Sequence, residues 1–429
     1  MKHALSAYLR EVFVPPPGRA AAVDGVRALA ILIVIAFHCV FLAYYVLDGT
    51  EAVRAYVAAT PAWLVWAWNG DKGVDMFFVL SGFLITRALL REFDARDRVD
   101  YPRFIRNRLL RIVPLYIVVL VLAVAIGMPN REYFWANLLF VNNLLDFERM
   151  LIPWSWSVTV EMQFYLLAPL LAWLIHRAGG RAPLWFAGLI LAGVLTRGLL
   201  LLNNPEYVAV TVQVFLHDKV LGFAVWDALY VNLYTRAGPL VLGMAVAWIV
   251  ERRAGAVRTL YARHPQAFNA AVVAALVLSA LMLNSPLMLV EASDGGIERL
   301  ARTVHWLAGR DLFALGVAVA LVAALLGLGV GRPIDRFLSL RVWFPIAQVS
   351  YSVYFLHIFF IGAAYHLLHG ETRVATLGFG TLAVVFGFTL IGAFMMGVAS
   401  FVLIERPFLG LKRSARPAVA GTVARTEAA

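Results

Sequence analysis

Four short segments of the sequence place ionisable or hydroxyl side chains inside runs of apolar residues. In DGVRALAILIVIAFH, residues 24–38, Arg27 and His38 are eleven positions apart. In an α-helix this spacing puts both residues on one face, about 16 Å apart along the axis. We expect His38 near the middle of a membrane-spanning helix, where an imidazole can accept and return a proton near neutral pH. The alternative is a buried histidine that is hydrogen-bonded to a neighbouring helix.

The segment WSWSVTVEMQFYLLAP, residues 154–169, carries a carboxylate, Glu161, and a hydroxyl one turn before it, Ser157. An unpaired carboxylate inside a membrane is unfavourable by several kcal/mol. We therefore expect Glu161 to face the interior of a helix bundle and to pair there with a cation or a hydrogen-bond donor. The predicted partners are Arg236 and His38.

Two further segments carry a small-residue step and an arginine cluster. GDKGVDMFFVLSGFLITRALLR has Asp75 near one end and Ser81 beside a glycine in the middle, and close helix packing is the simpler interpretation of that step. In YPRFIRNRLLRIVPLY, Arg108 and Arg111 share a helix face. Arginine binds phosphate through two parallel hydrogen bonds, although membrane topology and lipid head groups also favour basic residues here.

A membrane is required to position these segments. The chain has 429 residues, of which 62% are hydrophobic and 15% charged, and a soluble core cannot bury so large an apolar fraction. The sequence predicts an all-α, polytopic membrane bundle of about ten helices, near residues 26–47, 73–93, 111–127, 155–176, 183–202, 236–251, 266–283, 310–329, 347–368 and 376–404. Charged residues interrupt 204–235, which we interpret as a re-entrant or surface-lying segment, with further spans as the alternative.

The distribution of basic residues predicts the orientation of the bundle. The net charge is +11, and with the N-terminus inside, the inner loops and tails hold most of the 37 Lys and Arg residues. This bias follows the positive-inside rule, which explains the charge without a nucleic-acid partner. Both termini are therefore predicted to be cytoplasmic. Residues 1–25 are interpreted as an N-terminal segment, 26–408 as the transmembrane domain and 409–429 as a disordered tail.

Taken together and in order, the four segments resemble the acyltransferase-3 family of membrane acyltransferases. They match its Arg-x10-His element, its second-helix signature (here GVDMFFVLSGFLIT), its Arg-x-x-Arg element and its Ser-x-x-x-Glu element. The matching side chains are Arg27 and His38, Arg108 and Arg111, and Ser157 and Glu161. TRAGPLVLGM, SYSVYFLH and ERP are weaker matches, and Met162 stands where many members have a second glutamate. No esterase-like domain, as is fused to some members, is expected.

The resemblance implies an activity and a location. It implies transfer of an acyl group, usually acetyl, from cytoplasmic acyl-CoA to a hydroxyl of a carbohydrate or another cell-envelope acceptor, as in O-antigen and exopolysaccharide O-acetylases. The protein would then be a multi-pass protein of a bacterial inner membrane, with the lipid bilayer, acyl-CoA and the acceptor as its partners. No bound cofactor and no metal are expected, and no feature of the sequence indicates an oligomeric state.

The resemblance also assigns roles to residues. His38 is a general base, a proton relay or a covalent acyl carrier, and Glu161 orients or charge-balances His38 or the acceptor. Acyl-CoA is bound by Arg27, Arg108 and Arg111. Acceptor contact or structural support is assigned to Asp75, Ser81, Ser157, Arg236, Tyr351 and His357. A donor to the developing oxyanion is expected from Ser81, Ser157 or a helix-end amide.

Two other functions are compatible with the pattern. A proton-coupled transporter of a small molecule or glycolipid would also place a His and a Glu inside the membrane. No internal repeat is visible, whereas many transporters are built from inverted halves. Release of CoA from acyl-CoA by the purified protein would separate the two activities. A lipid-binding scaffold is the third function, and it predicts that His38→Ala has no effect.

Overall fold

The computed structural model of the protein describes residues 2–290 and 295–412. Within these ranges the chain is built from helices and contains no β-strand. Nine stretches of the described chain are long and apolar enough to cross a membrane. The longest, Pro153–Asn203, contains two helices joined by a turn at Gly179–Arg181, so all ten predicted spans are present as helices and the predicted fold class is confirmed. Of the predicted tail, residues 413–429 lie outside the described ranges.

The long helices are numbered in chain order. They are α1 (Lys2–Phe13), α2 (Ala21–Phe41), α3 (Gly73–Arg96), α4 (Tyr101–Ala125), α5 (Trp156–Ala178), α6 (Ala182–Asn203), α7 (Leu233–Trp248), α8 (Pro265–Leu283), α9 (Gly296–Leu326), α10 (Trp343–His369) and α11 (Phe379–Ser400). Shorter helices lie at Gly49–Ala58, Val65–Trp68, Phe134–Leu138, Val212–His217, Lys219–Val225, Ala254–Arg263, Gly331–Leu338 and Arg406–Gly410. Trp226–Tyr230, Ile249–Arg253 and Phe401–Glu405 are π-helical.

The two ends of the bundle differ chemically. Arg27 near the start of α2 and Arg108 near the start of α4 lie at the end where α3 finishes, which we call the arginine end. The opposite end, which we call the loop end, carries the long connections 42–72, 126–155 and 204–232. The positive-inside rule predicts that the arginine end faces the cytoplasm.

The N-terminal segment is packed against the rest of the chain. The prolines after α1 end that helix because proline lacks a backbone donor, and α2 begins at Ala21, before the predicted boundary at residue 26. The Arg406 guanidinium donates to both carboxylate oxygens of Glu11, at 2.5 and 2.9 Å. This ion pair joins α1 to the end of the last predicted span.

Close contact between α3 and α7 forms the centre of the bundle. Gly82 of α3 lies against the backbone of Leu240, and Gly243 of α7 lies against the backbone of Val79. A Cβ atom at either glycine would overlap main-chain atoms of the facing helix. The step beside Ser81 is therefore a packing feature, in agreement with the simpler interpretation of the sequence.

The connection between α6 and α7 lies at the loop end and is not a span. It consists of a 3-10 turn at Pro205–Ala209, the helices Val212–His217 and Lys219–Val225, and the π-helical turn Trp226–Tyr230. None of these segments is among the stretches that could cross a membrane. Its aromatic rings stack, with 4.3 Å between the ring centroids of Phe215 and Trp226. These short helices and turns agree with the prediction that residues 204–235 form a re-entrant or surface-lying segment.

Candidate active site

Six of the predicted site residues line one cavity of about 100 Å³. They are Arg27, Ser81, Arg111, Ser157, Glu161 and Tyr351. Three other polar side chains, Tyr165, Ser350 and Tyr354, line the same space. We call it the arginine cavity, because Arg27 and Arg111 place it toward the arginine end. The packing of α2, α3, α4, α5 and α10 thus brings together residues that are far apart in the sequence.

Glu161 is held by two hydroxyl groups in the arginine cavity. Ser81 and Tyr165 both donate a hydrogen bond to Oε1 of Glu161. Tyr165 lies one helical turn after Glu161 on α5, so both side chains are on one face. The carboxylate is therefore satisfied by neutral donors, while Arg27 and Arg111 line the same cavity.

The predicted pairing of Glu161 with Arg236 or His38 is wrong. Arg236 donates to Asp75 at 2.6 Å, and both side chains are buried. Arg310 donates to the other oxygen of Asp75 at 2.9 Å. Asp75 and Arg236 each lie in the first turn of a helix, and because α3 and α7 pack side by side the two charges meet at the loop end. Asp75 and Arg236 thus support the fold at a distance from Glu161.

His38 lines a second and larger cavity, of about 790 Å³, at the loop end. The apolar stretch that contains α2 runs from Ala21 to Tyr45. His38 therefore lies toward the loop end of this stretch, whereas the sequence predicted a position near its middle. Aromatic side chains dominate the wall, among them Trp154, Trp156, Phe223, Trp226, Tyr230 and Tyr365. We call this space the histidine cavity.

Contacts with a backbone carbonyl and with a second histidine define which nitrogen of His38 carries hydrogen. His38 Nδ1 lies 3.0 Å from the Val34 carbonyl oxygen and 3.0 Å from His357 Nε2. His357 Nδ1 lies 3.2 Å from the Val353 carbonyl oxygen. Because carbonyl oxygens only accept, both Nδ1 atoms carry hydrogen, and His357 Nε2 accepts from His38. His38 Nε2 is then the nitrogen with a free lone pair, on a ring that lines the histidine cavity.

Tyr354 connects the linings of the two cavities. It lines the arginine cavity, and its ring centroid is 5.9 Å from that of His357. Its hydroxyl donates to the carbonyl oxygen of Trp154 at 2.6 Å, and Trp154 lines the histidine cavity. The Ser157 hydroxyl lies 2.6 Å from the Tyr354 oxygen and must be the donor there. Tyr354 is thus held by hydrogen bonds to one residue of each lining.

The two candidate oxyanion donors are already engaged. The Ser81 hydroxyl donates to Glu161 and the Ser157 hydroxyl to Tyr354. Tyr351 likewise donates to the carbonyl oxygen of Ile112 at 2.7 Å. All three hydroxyl groups link two helices in this structure, and Ser81 and Ser157 are not free to stabilise an oxyanion.

Basic residues other than the predicted ones also lie at the arginine end. Arg108 lies with its guanidinium 5.8 Å from the Tyr165 ring centroid, and its Nε is buried without a partner. Arg106 donates to the carbonyl oxygen of Leu411 at 2.6 Å. The pKa of Lys412 is lowered to about 8 because the side chain is partly buried and Arg111 and Arg108 repel its charge. Lys412 was not among the predicted site residues, because only the fold brings it to α4.

Tyr165, Tyr354 and Lys412 are the site residues that sequence reasoning missed. Tyr165 had a local signal, since it follows Glu161 by four positions on the same helix. Tyr354 lies within SYSVYFLH, but its hydrogen-bond partners are 197 or more positions away. Lys412 had no signal, because the arginines near it lie on another helix.

Comparison with known proteins identifies the family. The model of a family described as an acyltransferase domain matches residues 20–398. Nose resistant to fluoxetine protein 6 of Caenorhabditis elegans is 24% identical over 66% of this chain and 38% of its own length. Peptidoglycan O-acetyltransferase OatA of Listeria monocytogenes is 30% identical over 34% of this chain and 23% of its own length. O-acetyltransferase OatA of Staphylococcus aureus is 28% identical over 36% and 25%, respectively.

The chain spans well under half the length of these curated relatives. No solved structure matches it significantly. The family match, in contrast, covers most of the chain, from the N-terminal end of α2 into α11. It contains the Arg27 and His38 element, the α3 signature, Arg108 and Arg111, and Glu161. The chain therefore belongs to the acyltransferase-3 family.

Proposed function

We propose that the protein transfers an acyl group, acetyl in the first instance, from acyl-CoA to a hydroxyl of a carbohydrate or another envelope acceptor in a bacterial inner membrane. The observation that carries the proposal is the His38–His357 pair, which leaves one basic nitrogen of His38 free at a cavity large enough for a sugar. The relatives named as O-acetyltransferases support the same class of reaction.

The donor is proposed to bind at the arginine end. Acyl-CoA carries several phosphate charges, and Arg27, Arg108, Arg111 and Lys412 concentrate positive charge there. Guanidinium groups bind phosphate with two parallel hydrogen bonds. The narrow pantetheine arm would enter through the arginine cavity and bring its thioester to Tyr354. Glu161 balances charge in this cavity and fixes Ser81 and Tyr165 along its wall.

The acceptor is proposed to bind in the histidine cavity. A volume of about 790 Å³ suits a mono- or disaccharide unit. The rings of Trp154, Trp156 and Tyr230 offer flat apolar surfaces, on which the C–H faces of sugar rings pack, and the polar edge of Tyr230 adds a hydrogen-bonding group. His38 on the same wall is then within the space that an acceptor hydroxyl would occupy.

The proposed reaction needs one proton carrier. His38 Nε2 removes the proton from the acceptor hydroxyl, whose oxygen attacks the thioester carbonyl carbon. The new C–O bond forms and the C–S bond breaks, and the imidazolium gives its proton to the departing CoA sulfur. His357 accepts a hydrogen bond from His38 Nδ1 and so stabilises the imidazolium. General base catalysis of this kind contributes about 10²–10⁴-fold to a rate.

The experiment uses the full chain, purified in nanodiscs, with radiolabelled acetyl-CoA and a native envelope-glycan extract. We expect release of CoA and labelling of a glycan, both lowered by about 10²–10⁴-fold in His38→Ala. His264→Ala is the matched control, since His264 is exposed in the turn before α8, and it should retain activity. If no glycan in the extract led to release of CoA, acyl transfer would be contradicted and a transporter would be the favoured function.

The acceptor is identified by mass spectrometry of envelope glycans from three strains. In one strain the gene is deleted. The other two are the deletion strain complemented with the wild-type gene or with the gene for His38→Ala. One glycan should lose an acyl group in the deletion and regain it with the wild-type gene alone. Identical profiles in all three strains would contradict an envelope-glycan acceptor.

A further inference from the structure

A network of buried charges at the loop end contains one cation too many. Its cations are Lys72, Arg197, Arg236 and Arg310, and its carboxylates are Asp71, Asp75 and Asp311. Each carboxylate forms an ion pair with an arginine: Asp71 and Asp75 with Arg310, Asp75 also with Arg236, and Asp311 with Arg197. Lys72 is left without a carboxylate at ion-pair distance among the described residues: Asp71 and Asp75 attract its charge from farther away, but both are already paired with arginines.

Lys72 is buried in a way that requires a partner. Its side chain is 2% exposed, and its ammonium donates to one neutral acceptor, Oδ1 of Asn69, at 2.8 Å. A lysine ammonium has three donor hydrogens. A buried charge without an opposite charge is strongly unfavourable. The arrangement is therefore incomplete as it stands, and a single negative charge would complete it.

A cavity lies beside Lys72, separate from the arginine cavity. Its volume is about 80 Å³ and its lining includes Asp71, Lys72, Thr211, His305 and Arg310. Space for one water needs roughly 10–15 Å³ on this measure, so the cavity can hold a group of several heavy atoms. We call it the lysine cavity.

Two residues that line the lysine cavity carry polar atoms with unused hydrogen-bonding capacity among the described residues. Nδ1 of His305 is buried and has no hydrogen-bond partner. The fully buried Thr211 hydroxyl accepts from the Val214 amide at 3.2 Å, so its own hydrogen remains available. Together with Lys72 these groups can donate to an acceptor with two oxygen atoms.

We propose that the lysine cavity binds the carboxylate of a small organic acid, with Lys72 as its ion-pair partner. A monocarboxylate supplies the one negative charge that the network lacks, and its two oxygens match donors from Lys72, Thr211 and His305. A phosphate group would exceed that charge. The aromatic side chains of the cavity enclose the apolar part of the acid.

Two sources can supply this carboxylate. One is a free small acid such as acetate, which hydrolysis of an acetyl donor would produce. The other is an acidic sugar acceptor, because Phe37, Phe41, Phe215, Trp226 and Tyr230 line both the lysine cavity and the histidine cavity. The second source rests on the proposed function, whereas the binding site itself does not.

The test measures thermal unfolding of the full chain in nanodiscs while sodium acetate, sodium glucuronate or sodium chloride is varied at constant ionic strength. A ligand that binds the folded state raises the midpoint, by about 3 °C at a 100-fold excess over its Kd for a chain of this length. We expect acetate, glucuronate or both to exceed chloride. Acetate alone identifies a free small acid, and a larger rise with glucuronate identifies an acidic sugar.

Variants then assign the effect to the cavity. Lys72→Gln should abolish the carboxylate response, and Arg131→Gln is the matched control because Arg131 is exposed at the same end and lines neither this cavity nor the histidine cavity. If Lys72→Gln does not fold, the wild-type series still decides. Equal midpoints in chloride, acetate and glucuronate would overturn the proposal, and so would a response retained in Lys72→Gln. Since no acyl transfer is measured, either result leaves the proposed function untouched.

Discussion

The two histidines of the candidate active site are paired without a carboxylate. Each ring has Nδ1 against a backbone carbonyl one turn earlier on its own helix, which sets both tautomers. The relation between Arg27 and His38 could be predicted, because one helix connects them and its periodicity is known. The contact between His38 and His357 could not, since no local rule relates residues on α2 and α10, and the same applies to Arg236 and Asp75.

Replacing His357 should slow the reaction through His38. His357→Ala removes one of the two acceptors of the His38 Nδ1 hydrogen, the other being the Val34 carbonyl oxygen, and a hydrogen bond with a charged donor is worth roughly 1.5–3 kcal/mol. We expect kcat to fall by about 10–100-fold, with little change in KM for acetyl-CoA. His357→Gln, whose amide oxygen can accept, should recover part of the loss. Steady-state kinetics decide this, and a change confined to KM would argue against the positioning role.

At the scale of elements, packing constraints are clearest where α3 and α7 meet. The sequence showed a glycine beside Ser81 but not which helix it faces. Apolar runs of about 20 residues made the spans predictable, whereas the short, charge-interrupted segments of 204–235 matched no single pattern. Their structure depends on contacts with the loop end, which a pattern along the chain does not contain.

Gly82→Ala should destabilise the bundle. Its Cβ would overlap the Leu240 backbone, and overpacking of this kind is unfavourable by about 1–3 kcal/mol. Gly188→Ala is the matched control on α6, because nothing lies within 4 Å of a Cβ there, and alanine favours a helix over glycine. Thermal unfolding in detergent should show a lower midpoint for Gly82→Ala alone. Equal midpoints would contradict the close contact between α3 and α7.

Asp227 gives the loop end a dependence on pH. Its Oδ1 accepts from the Phe147 amide at 2.7 Å, and burial, with repulsion by Asp146, raises the pKa of Asp227 from 3.8 to about 6. The protonated carboxyl is thus favoured in the folded state, so its contribution to stability is full near pH 4, falls as the pH rises to about 6, and stays lost above that. Asp227→Asn should remove this slope from a series of unfolding midpoints. Parallel slopes in both proteins would contradict it.

At the scale of the whole molecule, two cavities lie toward opposite ends of the bundle, and hydrogen bonds of Tyr354 connect their linings. The arginine cavity contains the groups suited to phosphate, and the histidine cavity contains His38, the proposed base, and aromatic walls. Composition and charge bias predicted the two faces of the molecule, because both are averages over many residues. The hydrogen bonds of Tyr354 to both linings could not be predicted, because they depend on how segments distant in the sequence pack together.

Removing the Tyr354 ring should raise the release of CoA relative to acyl transfer. Tyr354→Ala would join the two cavities and admit water to the thioester, so we expect release of CoA without acceptor to rise several-fold relative to acyl transfer. Tyr354→Phe is the matched control: it keeps the ring but leaves the buried Trp154 carbonyl without this donor, at about 1–3 kcal/mol of stability. The measurement compares CoA release with glycan labelling. An unchanged ratio in Tyr354→Ala would show that the ring does not exclude water.

The single free nitrogen of His38 also predicts whether the proposed reaction depends on the electrical potential across the membrane. A base with one available lone pair must return the proton it has taken before it can act again, so in the proposed reaction the hydroxyl hydrogen of the acceptor would leave on the CoA thiol. An acyl group passes toward the loop end as one hydrogen passes toward the arginine end, and no net charge crosses. Turnover should therefore proceed unchanged when an ionophore collapses the electrical potential, and the energy of the thioester alone would drive it.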